Sequence, residues 1–348
     1  MKFLLPCLLI CGVLFSDQMV MGDALIRPKV IVVATFEVGN DTGDKPGEFQ
    51  FWVEREKLDR TLTVPGVDHI VRHNDAGMYG VVSGTTVRSG LQIMALALDP
   101  RFDLSHTYWI INGIAGVNPE VASIGSAAWA AHVVDGDIGY EIDSREIPAS
   151  WPYGIVPIGS KEPNQVPDPQ AHMWAPSPMS WTLNPSLVKW AFHLTKDVQL
   201  VDTPEAQKFR ALYTAYPMAQ KPPFVFVGDS FCSCRYWHGQ VMQKWASDWD
   251  KLYTEGQGQF AMTAMEDQGI ADSLFRLSAM KKVDFQRVLF LRTGSNFCLP
   301  PPGETAAESM TSEYAGMIPA LEAAYRTGSV VAHELEKNWS QYKEAPPK

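Results

Sequence analysis

Arg292-Thr293-Gly294-Ser295-Asn296-Phe297 carries an asparagine whose carboxamide presents a donor and an acceptor side by side, the pattern that reads the edge of a purine. Asparagine in a turn is the commoner case. Thr263-Ala264-Met265-Glu266-Asp267 places acids at the start of a helical stretch. Glu266 could accept two hydroxyls of a sugar with Met265 packed beneath the ring, although acids at such positions more often suit the helix dipole as caps. Between a strand and a helix, Ser83-Gly84-Thr85-Thr86-Val87-Arg88-Ser89-Gly90 combines glycine, hydroxyls and a guanidinium. With helix-start amides, Gly84, Thr85, Arg88 and Ser89 could hold an oxyanion or a water; a glycine turn with a Ser/Thr cap is the plainer reading. Asn112-Gly113-Ile114-Ala115-Gly116 offers small residues against which a flat ligand could lie, and alone reads as a turn.

Elements that could position these groups alternate along the chain. Strands are expected at Val30–Thr35, Tyr79–Ser83, Thr107–Asn112, Ala128–Val134, Phe224–Gly228 and Val288–Arg292. All are continuous apolar runs, as strands buried on both faces require. Helices are expected at Ser89–Leu98, Asn184–Thr195, Pro204–Tyr213, Trp237–Lys251, Gln268–Lys281 and Ser312–Arg326, the last with Tyr314, Ile318, Leu321 and Tyr325 on one face. This alternation predicts a mostly parallel sheet covered by helices, with ligands at the carboxyl ends of the strands. Nine of the 25 prolines fall between Pro148 and Pro185. That stretch cannot be central strand or helix, and reads as a surface insertion within one domain.

Composition narrows the function. The net charge of −10 opposes nucleic-acid binding, which needs a cationic face. Lys2 followed by the apolar run Phe3 to Phe15 reads as an export signal, with cleavage near Gly22 removing residues 1–22. Beyond it, no run reaches the roughly 20 apolar residues of a membrane helix, so the expected product is an exported protein that is not integral to the membrane. Cys232, Cys234 and Cys298 remain after cleavage, an odd number without metal-ligand spacing. No metal is expected.

Taken in order, the four stretches resemble the nucleoside phosphorylase and nucleosidase superfamily, and most closely the purine nucleoside permease family. The resemblance runs from about Arg27 to the C-terminus. It is carried by Arg101-Phe102-Asp103-Leu104-Ser105-His106-Thr107-Tyr108, Gly113-Ile114-Ala115-Gly116-Val117-Asn118-Pro119 and Tyr140-Glu141-Ile142-Asp143-Ser144-Arg145-Glu146-Ile147-Pro148. Tyr236-Trp237-His238-Gly239 and the Arg292–Phe297 stretch extend it. It implies an α/β three-layer sandwich, a central twisted mixed sheet with helices on both faces, as one domain over residues 27–345.

The resemblance also implies a site. Asn296 would read the purine edge and Glu37, after the first strand, would act as base. Glu266, Met265, Asp267, Asn112, Ala115, Gly116, Asp229, Trp237, Ser295 and Phe297 would bind the nucleoside. Gly84, Thr85, Arg88 and Ser89 would hold inorganic phosphate, as co-substrate, or a water. The chain departs from the superfamily pattern at Gly84-Thr85-Thr86-Val87, where an acidic Gly-Glu-Gly-Glu type loop is usual, and at Cys298-Leu299, where an Asp-Arg pair is usual. Two function classes are expected: an exported enzyme that splits the N-glycosidic bond of purine nucleosides, by phosphorolysis or hydrolysis, or a binding protein that delivers nucleosides to a membrane transporter. Homo-oligomerisation is expected by analogy with the fold.

Overall fold

Val30, Ile31, Val32, Val33 and Ala34 are all buried, so the first strand must be covered on both faces. The computed structural model describes residues 25–168, 178–312 and 315–348. The stretch expected to be an export signal, Tyr314 and residues 169–177 of the proline-rich stretch lie outside the described residues.

The elements follow in chain order. The first third contains β1 (Val30–Ala34), α1 (Gln50–Arg55), β2 (Arg60–Leu62), β3 (Val71–His73), β4 (Met78–Val82) and α2 (Arg88–Leu98). Next come β5 (Tyr108–Val117), β6 (Ala127–Trp129), β7 (His132–Asp135), β8 (Gly139–Glu141), β9 (Ile155–Pro157) and β10 (Ser180–Thr182). Then follow α3 (Pro185–Thr195), α4 (Pro204–Arg210), β11 (Val225–Val227), β12 (Asp229–Cys232), α5 (Gln240–Tyr253) and β13 (Phe260–Ala264). The chain closes with α6 (Asp267–Ala279), β14 (Val288–Phe297), α7 (Ala306–Met310), α8 (Met317–Lys337) and α9 (Trp339–Tyr342).

The main mixed sheet runs in the order β10-β7-β12-β13-β5-β1-β4-β3-β2; β14 branches from β5 and carries β6 and then β11, while β8 and β9 form a separate pair. Pairings among β4, β1, β5 and β14 are parallel, whereas β13 meets β5 antiparallel. Adjacent residues of β14 show that helices cover both faces. Thr293 donates its hydroxyl to Ala320 O of α8, while Arg292 reaches Asp267 of α6. Short caps set several helix starts: Asn184 accepts from the Ser186 and Leu187 amides, Thr203 from Ala206, and Thr305 with Glu308 forms a capping box.

Several expectations require correction. Asn112 to Gly116 is not a turn, because β5 continues through it to Val117. Likewise Arg292 to Phe297 is strand, carried through by pairing with β5 and β6. Glycine and asparagine weaken a strand alone, but the parallel ladder between β5 and β14, which runs through both stretches, overrides that local preference. Conversely, Ala128–Val134 is two strands, β6 and β7, whereas the strand expected at Phe224–Gly228 is present as β11 and is followed directly by β12. β13 was not anticipated. Among the described residues of the proline-rich stretch, β9, which ends on Pro157, pairs with β8 outside the main sheet, and β10 sits on that sheet's edge beside β7. Cys232, Cys234 and Cys298 are all free thiols.

Helix α8 approaches β5 closely at Gly328, where a Cβ would lie 2.7 Å from Asn112 Nδ2 and 2.9 Å from Trp52 Cζ2. Those two groups are already joined, Trp52 Nε1 donating to Asn112 Oδ1 at 3.0 Å. Alanine normally stabilises a helix interior relative to glycine by roughly 0.5–1 kcal/mol. Here Gly328→Ala should instead lower stability by about 1–3 kcal/mol through overpacking, measurable as a reduced urea midpoint.

Candidate functional site

β5 changes partner along one edge. Its residues Tyr108 to Ile111 pair with β1, and Gly116 and Val117 pair with β13. Between these the edge is open. A cleft of about 220 Å³ forms there, lined by the ends of β1, β13 and β14.

Of the residues expected from sequence, Asn296, Ser295, Glu266, Met265, Ala115, Gly116, Trp237 and Thr85 line this cleft together. Asn296 Nδ2 donates to the Tyr236 hydroxyl at 3.1 Å and to Phe297 O at 3.2 Å, and its Oδ1 accepts from Ser295 Oγ at 3.0 Å. Its carboxamide is therefore oriented from both ends. At Gly116 an added Cβ would lie 2.6 Å from Thr263 Oγ1 and 3.4 Å from Asn296 Nδ2, so glycine keeps this floor flat.

Glu266 precedes α6 but makes no side-chain cap. Its Oε2 accepts from the Met265 amide at 3.1 Å and from Arg292 Nη2 at 3.2 Å. Burial lifts its carboxyl to about 7; Arg292 opposes the shift, and Glu48 and Asp267 add to it. Arg292 itself is 1% exposed and bonds to Asp267 through Nε and Nη2, with Glu48 Oε1 at 3.8 Å. Burial disfavours the guanidinium charge, but Asp267 and Glu266 outweigh it and hold Arg292 protonated. Gly113 makes this cluster fit: a Cβ there would lie 2.3 Å from Arg292 Nη1 and 2.4 Å from Glu48 Oε1.

The remaining expected residues lie elsewhere. Glu37 does not line the cleft; its carboxylate accepts from the amides of Val38, Gly47, Phe49 and Gln50 and so closes the base of a loop. Asp267 sits behind the cleft, gripping Arg292 and accepting from Ser230 Oγ at 2.7 Å. Asn112 faces α8, donating to Ala324 O. Asp229 accepts from the His132 backbone and ring nitrogens. Phe297 packs on Tyr213 and Phe209. Arg88 is exposed, and Gly84 (φ +76°) shapes the turn before α2. Ser89 donates its hydroxyl to Thr86 O at 2.6 Å.

Sequence reasoning missed several lining residues, among them Thr35, Phe36, Arg235 and, most consequentially, Glu48. Its Oε2 accepts from Thr35 N, Thr35 Oγ1 and Phe36 N, and its Oε1 from Ile114 N at 2.7 Å. Burial raises its carboxyl above the ordinary value, against the pull of Arg292 and these donors. It was legible only as an acid just before α1, eleven residues beyond Glu37. The Glu37 loop folds that distance away.

The cluster makes a stability prediction. Replacing Arg292 by Met leaves three clustered carboxyls without their cation and should cost about 3–5 kcal/mol in urea unfolding. Arg292→Lys should recover only part, because an ammonium cannot span Asp267 and Glu266 as a guanidinium fork does.

A family model described as Purine nucleoside permease (NUP) matches residues 27–347. A purine nucleoside permease of Candida albicans is 28% identical over 335 residues, covering 93% of this chain and 79% of its own. Among solved structures, the Helicobacter pylori 5′-methylthioadenosine/S-adenosylhomocysteine nucleosidase superposes with a TM-score of 0.53 at 12% identity, covering 89% of this chain and all of that one. Futalosine hydrolase of the same organism also gives 0.53 at 12% identity, over 88% and 98% of the two chains. No helix among the described residues is long and apolar enough to cross a membrane.

Proposed function

Because the chain belongs to the purine nucleoside permease family, within the nucleoside phosphorylase and nucleosidase superfamily, we propose that its cleft binds a purine nucleoside and cleaves the N-glycosidic bond. One observation carries this reading: Asn296 and Glu266, from different strands' ends, line a single cleft whose floor is the small-residue run Ala115-Gly116.

The geometry suits the reaction. Cleavage passes through an oxocarbenium-like sugar while the purine gathers negative charge. The Asn296 carboxamide donates to the purine edge as that charge grows, exchanging its bond to the Tyr236 hydroxyl for one to the ligand. An amide cannot give up a proton as a carboxylic acid does, so its help is electrostatic, and an amide N–H facing the base favours 6-oxo purines over adenine. Glu266 grips the 2′- and 3′-hydroxyls of the ribose and fixes the sugar's approach, with Met265 beside it. Residues 1–22 direct export, which places the reaction outside the cell or in the periplasm and links it to nucleoside salvage.

Asn296→Ala should reduce hypoxanthine release from inosine by about 10²- to 10³-fold. Unchanged turnover removes Asn296 from the mechanism, and tight inosine binding by the wild-type protein with no base released makes it a capture protein for a transporter.

Glu266 also sets a pH dependence. A charged acceptor holds hydroxyls more strongly than a neutral one. Its carboxyl is raised to about 7, so the ionised form is present above that pH and lost as pH falls through it. Inosine affinity, measured calorimetrically between pH 5.5 and 8.5, should therefore weaken several-fold on the acid side. Glu266→Gln should bind weakly at every pH and flatten the profile.

A further inference from the structure

We infer that water, not phosphate, attacks the sugar in this cleft, and that Glu48 takes the proton from that water. The inference rests on the nucleoside-cleaving reading above and decides which of its two chemistries operates.

The charges around the sugar end of the cleft come first. Glu48 and Glu266 both line it, and Asp267 lies directly behind, sharing Arg292 with them. Three carboxyls thus face one guanidinium, which is 1% exposed and does not itself line the cleft. A phosphate dianion entering here would meet acidic groups whose compensating cation is already engaged.

The segment best placed by sequence to cradle phosphate is also committed. Ser89 spends its hydroxyl on Thr86 O, and its own amide also donates to Thr86 O. Gly90 N donates to Val87 O, and of the four residues expected to hold phosphate, Thr85 lines the cleft. Arg88 is exposed outside it.

Arg235 is the one cation among the described residues that line the cleft. Its fork is occupied by Glu141 of β8, with Nη1 to Oε1 at 3.2 Å and Nη2 to Oε2 at 2.6 Å. The Tyr140–Pro148 motif thereby supplies the acid that neutralises the rim.

Glu48 has what a base for water requires. Three donors occupy Oε2, whereas Oε1 accepts one hydrogen bond, from Ile114 N, and keeps a lone pair for a water in the cleft. Thr35 and Ile114 are themselves paired into or beside β1 and β5, so the carboxylate is held by rigid backbone. Its raised carboxyl makes it a stronger base than an exposed glutamate.

The step balances with water alone. The water oxygen bonds to C1′ as the C1′–N9 bond breaks, and that electron pair leaves on the purine. Glu48 receives the water proton, the purine anion is protonated from solvent, and free base and ribose depart.

Product analysis tests this on the full-length exported protein with inosine. Equimolar hypoxanthine and free ribose are expected in phosphate-free buffer, with a rate changed less than twofold by 50 mM phosphate and no ribose 1-phosphate formed. Base release that requires phosphate, or any stoichiometric ribose 1-phosphate, overturns the inference and leaves glycosidic cleavage standing. No base release under either condition overturns both. Glu48→Gln should lower turnover about 10²- to 10⁴-fold while inosine affinity stays within threefold. A folded Glu48→Gln protein that turns over like wild type removes Glu48 as the base. If that variant does not fold, the wild-type product ratio still decides between water and phosphate.

Discussion

Arg292 is the constraint around which the site is arranged. A buried guanidinium must be compensated, and the compensation comes from Asp267, Glu266 and Glu48, contributed by the start of α6, the turn before it and the segment before α1. One cation therefore ties the carboxyl ends of several strands into a single unit. The same arrangement forces carboxyls close together, and close burial keeps the Glu48 and Glu266 carboxyls above their ordinary values. Stability and reactivity come from one set of contacts. Neither can be altered without the other, because Asp267, which never lines the cleft, holds the group that holds Glu266.

The sheet supplies the space. A strand flanked along its full length by the same partners would leave no opening at its centre. β5 instead exchanges β1 for β13 on one edge, while β14 follows it on the other from Trp109 to its end at Val117. Side chains take the amides in and beside the uncovered interval: Glu48 receives that of Ile114, and Thr263 Oγ1 receives that of Gly116, at its β13 end, at 3.1 Å. Backbone donors that would otherwise cost free energy are thereby satisfied at the wall of the cleft. Polar side chains appear there because the ladder is interrupted there.

Sequence reasoning reached the architecture and half of the cleft, and the division has physical reasons. Buried strands such as Val30–Ala34 and Val288–Leu291 announce themselves by unbroken apolar runs. The polar, glycine-containing ends of β5 and β14 carry no such signal, because ladder bonding with distant segments makes them strands. Asn296, Glu266 and Met265 were legible from residue type in a family-like order. Glu48 was not: Glu37 lies nearer to the first strand, and only the folded loop shows which acid faces inward. Asn112 and Asp229 were misplaced for a related reason. Strand alternation sends Asn112 to the α8 face, and a bulge between Asp229 and Ser230 leaves Asp229 bound to His132.

The Glu37 brace also bears on how this surface can diverge. By gathering the amides of Gly47, Phe49 and Gln50 onto a carboxylate ten to thirteen residues earlier, it pins both feet of the excursion spanning residues 38–46. Within the span Asp41 is itself buried and bound to His69 and Arg72, so a change of length on either side of that anchor need not propagate past the pinned feet, and the interior acid keeps its position. The exposed residues 42–45 can thus change in number and character with the chemistry beneath insulated from the experiment.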